Sequence, residues 1–392
     1  MRQGGKVLRV RCLVTAFLLT GFVALPLRAL AASEWKWDRS AKNPALSADR
    51  IPRHTGAGRF VIVDPAVLYD GGVFRMWYGY GSVEADWRAR AYLGYAESSD
   101  GMQWKNFSRA LGLGSGWDKT HVETPCVVKD DSLPDGHPRK FRMYYAGMDY
   151  KRRSSKTVRK DQDSLKITSD GDSMTGVDYA IGLAFSKDGR NFTRLPLAES
   201  PYGQEGLVLA PNAPADGNNL WDAASVVDPH VLKVGDKYHM WYTSRCLDSG
   251  KSSPYYSISY AVSDDGVRWE KHGPVIKPEA AWETGAEEPG VGRPYVIWRN
   301  NRFEMFYDAT KRDDNPLKNS MAGIGYAVSD DGVHWKKEMD PVFVPLGGKG
   351  EAKGVIVGGA VLYKDTERFL YYTVADPDWQ NFKIHLAKNR EK

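Results

Sequence analysis

Acidic and basic side chains recur beside proline at several places in this chain. Asp64, Asp228 and Arg293 each directly precede a proline, and Glu123 stands two residues before another. Carboxyl groups that lie close together can differ in protonation, because the negative charge of one ionised group raises the pKa of its neighbour. Such a cluster could supply both a general acid and a general base. Glu288, upstream of Arg293, is a further candidate acid, and Arg293 itself could clamp a carboxylate or bind an acidic or phosphate group.

These residues belong to a unit that recurs along the chain and predicts short β-strands. The predicted first strands are apolar: Val61–Leu68, Val122–Val128, Val226–Leu232, Gly292–Ile297 and Ile356–Leu362. The predicted second strands are aromatic: Phe74–Tyr78, Phe141–Tyr145, Tyr238–Tyr242, Phe303–Tyr307 and Phe369–Tyr372. Each third strand opens a phrase such as Ile324-Gly-Tyr-Ala-Val-Ser-Asp-Asp-Gly-Val-His-Trp335, with copies starting at Leu93, Ile181 and Ile258 and a short one at Ile384. Radial repetition of one such sheet is the pattern of a β-propeller.

The outer strand of the last unit is missing from its expected place. Outer strands begin after the Asp-Gly turns at Trp104, Phe192, Trp269 and Trp335. Trp37–Leu46 shares its leading tryptophan and late proline with the last of these. The sequence therefore predicts an all-β, five-bladed propeller whose N-terminal strand completes the last blade and closes the ring. The predicted blades are residues 50–111, 112–201, 202–278, 279–345 and 346–392 plus 37–46, with a polar insertion over 151–178.

The repeated Ser-Asp-Asp-Gly phrase has a structural interpretation. Asp bonds its own backbone and Gly accepts a positive φ, so the phrase predicts a tight turn, and its tryptophan packs between sheets. The first strands line the channel of a propeller, so Asp64, Glu123, Asp228 and Arg293 are predicted to converge at one mouth of it. A purely structural role for so many carboxylates would require a buried partner for each.

Residues 1–31 are expected to be a secretory signal peptide. Basic residues precede the apolar stretch Leu13–Leu27, and Ala29-Leu-Ala31 is a small-x-small cleavage signal. The stretch is short and interrupted for a spanning helix, although an uncleaved membrane anchor stays an alternative. The protein, residues 32–392, is thus predicted to be a single exported domain, periplasmic or secreted and free of the membrane after cleavage.

The charge balance argues against a nucleic-acid partner. Five of the 54 basic residues lie within the first 31, which leaves 49 basic residues against 49 acidic ones. A chain without net charge and without a basic stripe lacks the electrostatic footprint of nucleic-acid binding.

Cysteine and histidine supply no zinc pattern. Cys126 and Cys246 are the two cysteines outside the first 31 residues, and they either pair or stay as buried thiols. No Cys/His cluster has the spacing of a structural zinc site, so no metal is predicted there.

Taken together, the repeats and acids resemble the five-bladed propeller superfamily of arabinanases, β-xylosidases, invertases and levansucrases, of the family 43 and 32 type. The motif of sialidases is different, since it has one more residue between Asp and Gly. The resemblance covers the chain beyond residue 31. It implies that Asp64 is the base or nucleophile and that Asp228 orients groups and adjusts the pKa of the acid. It also implies carboxylate acid/base cleavage of a glycosidic bond in an oligo- or polysaccharide, of furanoside or related type.

The acid departs from the pattern of these enzymes. Arabinanase-like members place a glutamate where this chain has Gly292, so either Glu123 or Glu288 takes the role, or catalysis is lost. The first hypothesis is an exported glycoside hydrolase. The alternative is a carbohydrate-binding propeller without catalysis, and a third possibility is a phosphorylase that binds phosphate through Arg293.

Aromatic and histidine residues complete the predicted binding set. Trp87 and His230 are candidates for substrate contact, while Trp77 and Trp241 lie at repeated positions and are predicted to be core. His385 could reach the channel, where some relatives hold an ion such as calcium. No cofactor is predicted.

Overall fold

The structure is a computed structural model that describes residues 35–51, 59–83, 89–149, 179–212, 220–245, 256–284, 288–312, 320–344, 356–375 and 382–390. Trp87, Cys246, the insertion over 151–178 and the predicted signal peptide lie outside these residues, as does the side chain of Glu288. Within the described part of the chain, no helix is long and apolar enough to cross a membrane.

The described residues form an all-β structure, as predicted. Its strands are β1 (Asp38–Arg39), β2 (Arg59–Asp70), β3 (Val73–Val83), β4 (Ala89–Ser98), β5 (Lys105–Leu111), β6 (His121–Lys129), β7 (Phe141–Met148), β8 (Ala180–Ser186), β9 (Thr193–Arg194), β10 (Leu207–Leu209), β11 (Ser225–Val234), β12 (Lys237–Arg245), β13 (Tyr256–Ser263), β14 (Glu270–Ile276), β15 (Glu288–Arg299), β16 (Arg302–Arg312), β17 (Ser320–Ser329), β18 (Lys336–Lys337), β19 (Ile356–Lys364), β20 (Glu367–Ala375) and β21 (Phe382–Arg390). One short helix, α1 (Ala281–Thr284), and three 3-10 turns, Ala48–Arg50, Leu197–Glu199 and Leu220–Asp222, accompany them.

Within the described residues, the strands group into five antiparallel units. Unit one is β2–β5, unit two is β6–β10, unit three is β11–β14, unit four is β15–β18, and unit five is β19–β21 with β1. Single parallel bridges join unit one to unit two and unit three to unit four, which gives sheets of four, nine and eight strands. The predicted first, second and third strands are all present, so the repeat in the sequence is a repeat of structure.

The N-terminal segment pairs with the last strand, although less continuously than predicted. Only Asp38 and Arg39 form a strand beside β21, and Leu46 adds an isolated bridge to Ile384. Between them, the Asn43 side chain hydrogen-bonds both the N–H and the carbonyl of Leu386, at 2.8 and 3.0 Å. A side-chain amide thus replaces part of the predicted strand ladder.

The Ser-Asp-Asp-Gly turns join neighbouring units. Within one turn, the Asp265 carboxylate accepts the N–H groups of Val267 and Arg268. The glycine carbonyl of each turn accepts a hydrogen bond from an aromatic side chain of another unit: Trp77 to Gly189, Tyr144 to Gly266, Trp241 to Gly332 and Tyr371 to Gly101, at 2.8–2.9 Å. The phrase is therefore structural, and the fully buried Trp77 and Trp241 belong to the core.

Units two, three and four each contain a buried ion pair that was not predicted from the sequence. An acid directly after a tryptophan meets a second-strand tyrosine and an outer-strand cation: Asp118 with Tyr145 and Arg194, Asp222 with Tyr242 and Lys271, and Glu283 with Tyr307 and Lys337. The acids are at most 1% exposed. The dipeptides Trp117-Asp, Trp221-Asp and Trp282-Glu mark these positions in the sequence.

Removing one partner of such a pair should be strongly destabilising. Asp222 is fully buried, and its carboxylate lies 2.6 Å from Lys271 Nζ. We expect Asp222→Ala to lower the free energy of unfolding by about 3–5 kcal/mol, because it strands a buried ammonium. Asp264→Ala, which breaks the exposed pair with Lys237, is the matched control, with a much smaller expected loss because water screens an exposed pair. Urea unfolding of both variants measures the difference, and equal losses would contradict this prediction.

Candidate functional site

One backbone distortion recurs at the same position of every first strand. The strand pairing shifts register there, and the residue at the shift has a positive φ: Asp64 (53°), Thr124 (48°), Asp228 (53°), Arg293 (49°) and Gly358 (61°). We call these five residues the axial ring. Only glycine adopts such a conformation freely, and strained residues of other types concentrate at functional sites. The residue that directly precedes the proline in the first strands of units one to four therefore occupies a structurally equivalent position.

Arg293 lies between the two aspartates of the axial ring. Its Nε is 3.6 Å from Asp64 Oδ1 and 3.8 Å from Asp228 Oδ1. Both aspartate side chains are 9% exposed, while that of Arg293 is 31% exposed. The backbone N–H of Arg293 donates to Thr243 Oγ1 at 2.8 Å, which fixes the start of this side chain. One cation thus holds two carboxylates close together.

Glu123 and Tyr179 extend the cluster. Glu123 immediately precedes the axial-ring residue Thr124, and the Tyr179 hydroxyl donates a hydrogen bond to its carboxylate. Both side chains are half-buried. Burial and the charge of Asp64 raise the pKa of Glu123 to about 7, against the hydrogen bond from Tyr179. Burial and Glu123 in turn hold the pKa of Tyr179 well above its usual value, so it stays a hydrogen-bond donor.

Asp308 is a carboxyl of the site that the sequence analysis missed. It lies on β16 directly opposite Gly292 in the strand pairing, and it is 1% exposed. Its Oδ2 accepts the N–H of Gly358 at 2.7 Å. The signal was present in the residue that directly follows each predicted second strand, because only one of the five is an acid: Gly79, Ala146, Thr243, Asp308 and Thr373.

Asp64 and Asp308 are carboxyl groups of the site whose pKa values are raised to different extents. Burial raises the pKa of Asp64 to about 6, with Arg293 opposing the shift and Asp228 adding to it. Burial likewise raises the pKa of Asp308 to about 7, opposed by Arg293 and the Gly358 N–H. Burial works to lower the pKa of Arg293, yet the surrounding carboxylates raise it above its usual value. Near neutral pH the site can therefore hold both a proton donor and a proton acceptor.

The other predicted residues lie elsewhere or outside the described side chains. His230 Nε2 hydrogen-bonds the Val296 carbonyl at 2.8 Å, its ring packs on Tyr295, and burial lowers its pKa to about 4. The structure therefore places His230 between two first strands instead of beside Arg293. His385 packs against Tyr372. Cys126 is a free buried thiol whose sulfur contacts the backbone of Val231 in unit three.

The described residues offer no carboxylate, histidine or cysteine group of three or more that could hold a metal ion. A calcium ion at the axial ring would lie beside the Arg293 guanidinium, and the repulsion between the two cations disfavours it there.

Sequence relatives of the chain include glycoside-processing enzymes. No protein-family model matches the chain. It is 24% identical over 327 residues to a 1,2-β-oligomannan phosphorylase of Thermoanaerobacter sp. (strain X514), a match that covers 81% of this chain and 88% of that protein. It is also 30% identical over 117 residues to an uncharacterised protein of Mycobacterium tuberculosis (strain ATCC 25618 / H37Rv). That match covers 30% of this chain and spans only 35% of the mycobacterial protein.

Solved structures show the fold. A thermostable family-43 glycoside hydrolase matches with a TM-score of 0.53 and 20% identity, covering 86% of this chain and 91% of that one. The β-1,2-mannobiose phosphorylase of Listeria innocua matches with a TM-score of 0.61 and 13% identity, covering 91% of this chain and 97% of that one. The resemblance predicted from the sequence is thus confirmed at the level of the superfamily: the chain is similar, over most of its length, to the propeller glycoside hydrolases and glycoside phosphorylases.

Proposed function

We propose that the protein is a glycoside hydrolase that cleaves β-mannosidic bonds by acid/base catalysis at the axial ring. Its relatives support an enzyme of the glycosidase type. The observation that carries the proposal is the grouping of Asp64, Asp228 and Glu123 around Arg293, with one carboxyl favouring the protonated form and another held beside a cation.

In this mechanism Glu123 is the acid. Its carboxyl gives a proton to the glycosidic oxygen as the bond from that oxygen to the anomeric carbon breaks. Asp64, ionised beside Arg293, either attacks the anomeric carbon or takes a proton from the water that does so. Asp228 and Arg293 fix the position of Asp64, and Tyr179 orients the Glu123 carboxyl. The side chain of Glu288 lies outside the described residues, so its predicted role as the acid stays a prediction.

Phosphorolysis is the second candidate, because two of the relatives are named as phosphorylases. The charges of the described site favour water over phosphate as the acceptor. Within the part of the chain that the structure describes, Asp64, Asp228, Glu123 and Asp308 surround Arg293, and two of these carboxylates already engage it. An incoming phosphate dianion would be repelled by every carboxylate that is ionised.

The proposed substrate is a β-mannoside instead of the furanoside first expected. The furanoside prediction came from the resemblance to arabinanases. A relative that aligns over 327 residues, 81% of this chain, is named for 1,2-β-oligomannan. We therefore place β-1,2-mannosides first and arabinofuranosides second.

An assay of the protein against β-1,2-mannobiose and arabino-oligosaccharides, with and without inorganic phosphate, tests this proposal. We expect release of free mannose without phosphate, and about a hundredfold lower turnover in Asp64→Asn and Asp228→Asn. Asparagine keeps the shape of the side chain and tolerates the positive φ. Strict dependence on phosphate would favour the phosphorylase, and glycan binding without turnover would favour the binding propeller. Turnover in both variants equal to that of the wild type would refute the site.

We also propose that the five units form one closed propeller ring. The hydrogen bond from Tyr371 in unit five to the Gly101 turn in unit one repeats the contacts between units one and two, two and three, and three and four. Trp35 packs edge-on against Phe306 of unit four, with ring centroids 5.6 Å apart. The N-terminal segment thus takes the place of the missing turn in unit five.

Export is proposed from the sequence of residues 1–31 alone. The apolar stretch and the Ala29-Leu-Ala31 signal support cleavage before Ala32. N-terminal sequencing of protein recovered from the periplasm or medium tests this, and an intact Met1 would refute it.

A further inference from the structure

Thr124 is the one member of the axial ring that is neither charged nor glycine. Its φ of 48° places a β-branched side chain in the left-handed region, where residues of this type are strongly disfavoured. The equivalent position in unit five is Gly358, which adopts the same conformation without strain. The backbone at this position therefore does not require threonine.

The Thr124 hydroxyl adds a second cost. Residue Thr124 is 8% exposed, and its Oγ1 is buried without a hydrogen-bond partner among the residues that the structure describes. Burying a hydroxyl without a partner is unfavourable. Valine or glycine would avoid this cost, so neither packing nor the backbone explains the residue.

Polar atoms without partners also lie at the neighbouring ring positions. Asp64 Oδ1, Asp228 Oδ1 and Arg293 Nε are buried and make no hydrogen bond to the described residues, although they pair electrostatically. Acceptors on the two aspartates, a donor on the arginine and a hydroxyl that does both match the hydroxyl groups of a sugar ring.

We propose that Thr124 is a substrate-binding residue whose Oγ1 hydrogen-bonds a hydroxyl of the sugar held by Asp64, Asp228 and Arg293. This inference rests on the proposed function and deepens it. Strained residues concentrate at functional sites, which accounts for a threonine at a position where glycine would be unstrained. Thr124 takes no part in proton transfer, so its loss should raise KM far more than it lowers kcat.

Three substitutions separate this role from a structural one. Thr124→Val and Thr124→Gly both remove the hydroxyl, but the first keeps the backbone strain and the second relieves it. Thr124→Ser keeps the hydroxyl. Thr193→Val, at an exposed position of β9 in the same unit, is the matched control.

With β-1,2-mannobiose as the probe, we expect KM to rise about three- to tenfold in Thr124→Val and Thr124→Gly, the loss of one neutral hydrogen bond. Thr124→Ser should regain most of that affinity, and Thr193→Val should match the wild type. The thermal midpoint of Thr124→Gly should equal or exceed that of the wild type, which shows that its KM does not reflect unfolding.

Two outcomes would overturn the inference alone. In the first, the wild type turns over the probe and KM is unchanged in both variants without the hydroxyl. In the second, KM follows the thermal midpoint across the series instead of the hydroxyl. If the wild type neither binds nor cleaves any glycan of the panel, the proposed function fails and this inference fails with it.

Discussion

Replacing Glu123 by glutamine should lower kcat/KM for the cleaved glycan by about 10²–10⁴-fold. Glutamine keeps the size of the side chain and can still accept the hydrogen bond from Tyr179, but it cannot give a proton to the leaving oxygen. Glu199→Gln, at an exposed ion pair with Arg139 in the same unit, is the matched control and should keep full activity.

The pH profile identifies the acid more sharply than the rate does. Glu123 must be protonated, so activity should fall as pH rises through about 7. Asp64 must be ionised, so activity should fall as pH drops below about 6. The wild type should give a bell-shaped kcat/KM profile, and Glu123→Gln should lose only its alkaline limb. An alkaline limb that persists in Glu123→Gln and disappears in Asp308→Asn would reassign the acid to Asp308.

The sequence was sufficient to predict that Asp64, Asp228 and Arg293 occupy equivalent positions in their units. Each precedes a proline in a repeated first strand, and repeats align their residues in space when they form equivalent units. The structure adds a feature that the strand pattern does not reveal: all three residues have a positive φ. Glu123 also lies in the cluster, as predicted, because it is the neighbour of an axial-ring residue.

Residues outside the first strands could not be found in the same way. Asp308 belongs to the cluster because the register of β15 and β16 sets it opposite Gly292, and strand register is fixed by the whole sheet. Gly292 stands where arabinanase-like enzymes have a glutamate, and the Asp308 carboxyl lies opposite it on the neighbouring strand. Tyr179 directly follows the predicted insertion, where no repeat position was assigned.

His230 is a residue whose surroundings could not be predicted from its place in the sequence. It stands two residues after Asp228 and was predicted to be a candidate for substrate contact. Side chains alternate along a strand, and the register shift between Val227 and His230 changes where each points. The result is a neutral histidine packed between two strands, held by the Val296 carbonyl.

Deleting residues 32–48 should destabilise the whole domain, because these residues supply the outer edge of unit five. Ala45 and Leu46 are fully buried. Leu46 and Ile384 exchange two backbone hydrogen bonds, at 2.9 and 3.0 Å. Losing this segment would expose the edge of β21 and remove the contact of Trp35 with Phe306. We expect the thermal midpoint to fall by on the order of 10 °C relative to a protein beginning at Ala32, with a tendency to aggregate through the open edge.

A single substitution tests the same segment without shortening the chain. Leu46→Ala should lower the free energy of unfolding by about 2–5 kcal/mol, the usual cost of emptying a fully buried leucine site. Lys42→Ala, at an exposed position of the same segment, should change it by less than about 0.5 kcal/mol. If the truncated protein melts like the longer one, the N-terminal segment does not stabilise unit five, and the ring is then held by contacts outside this segment, such as that of Tyr371 with the Gly101 turn.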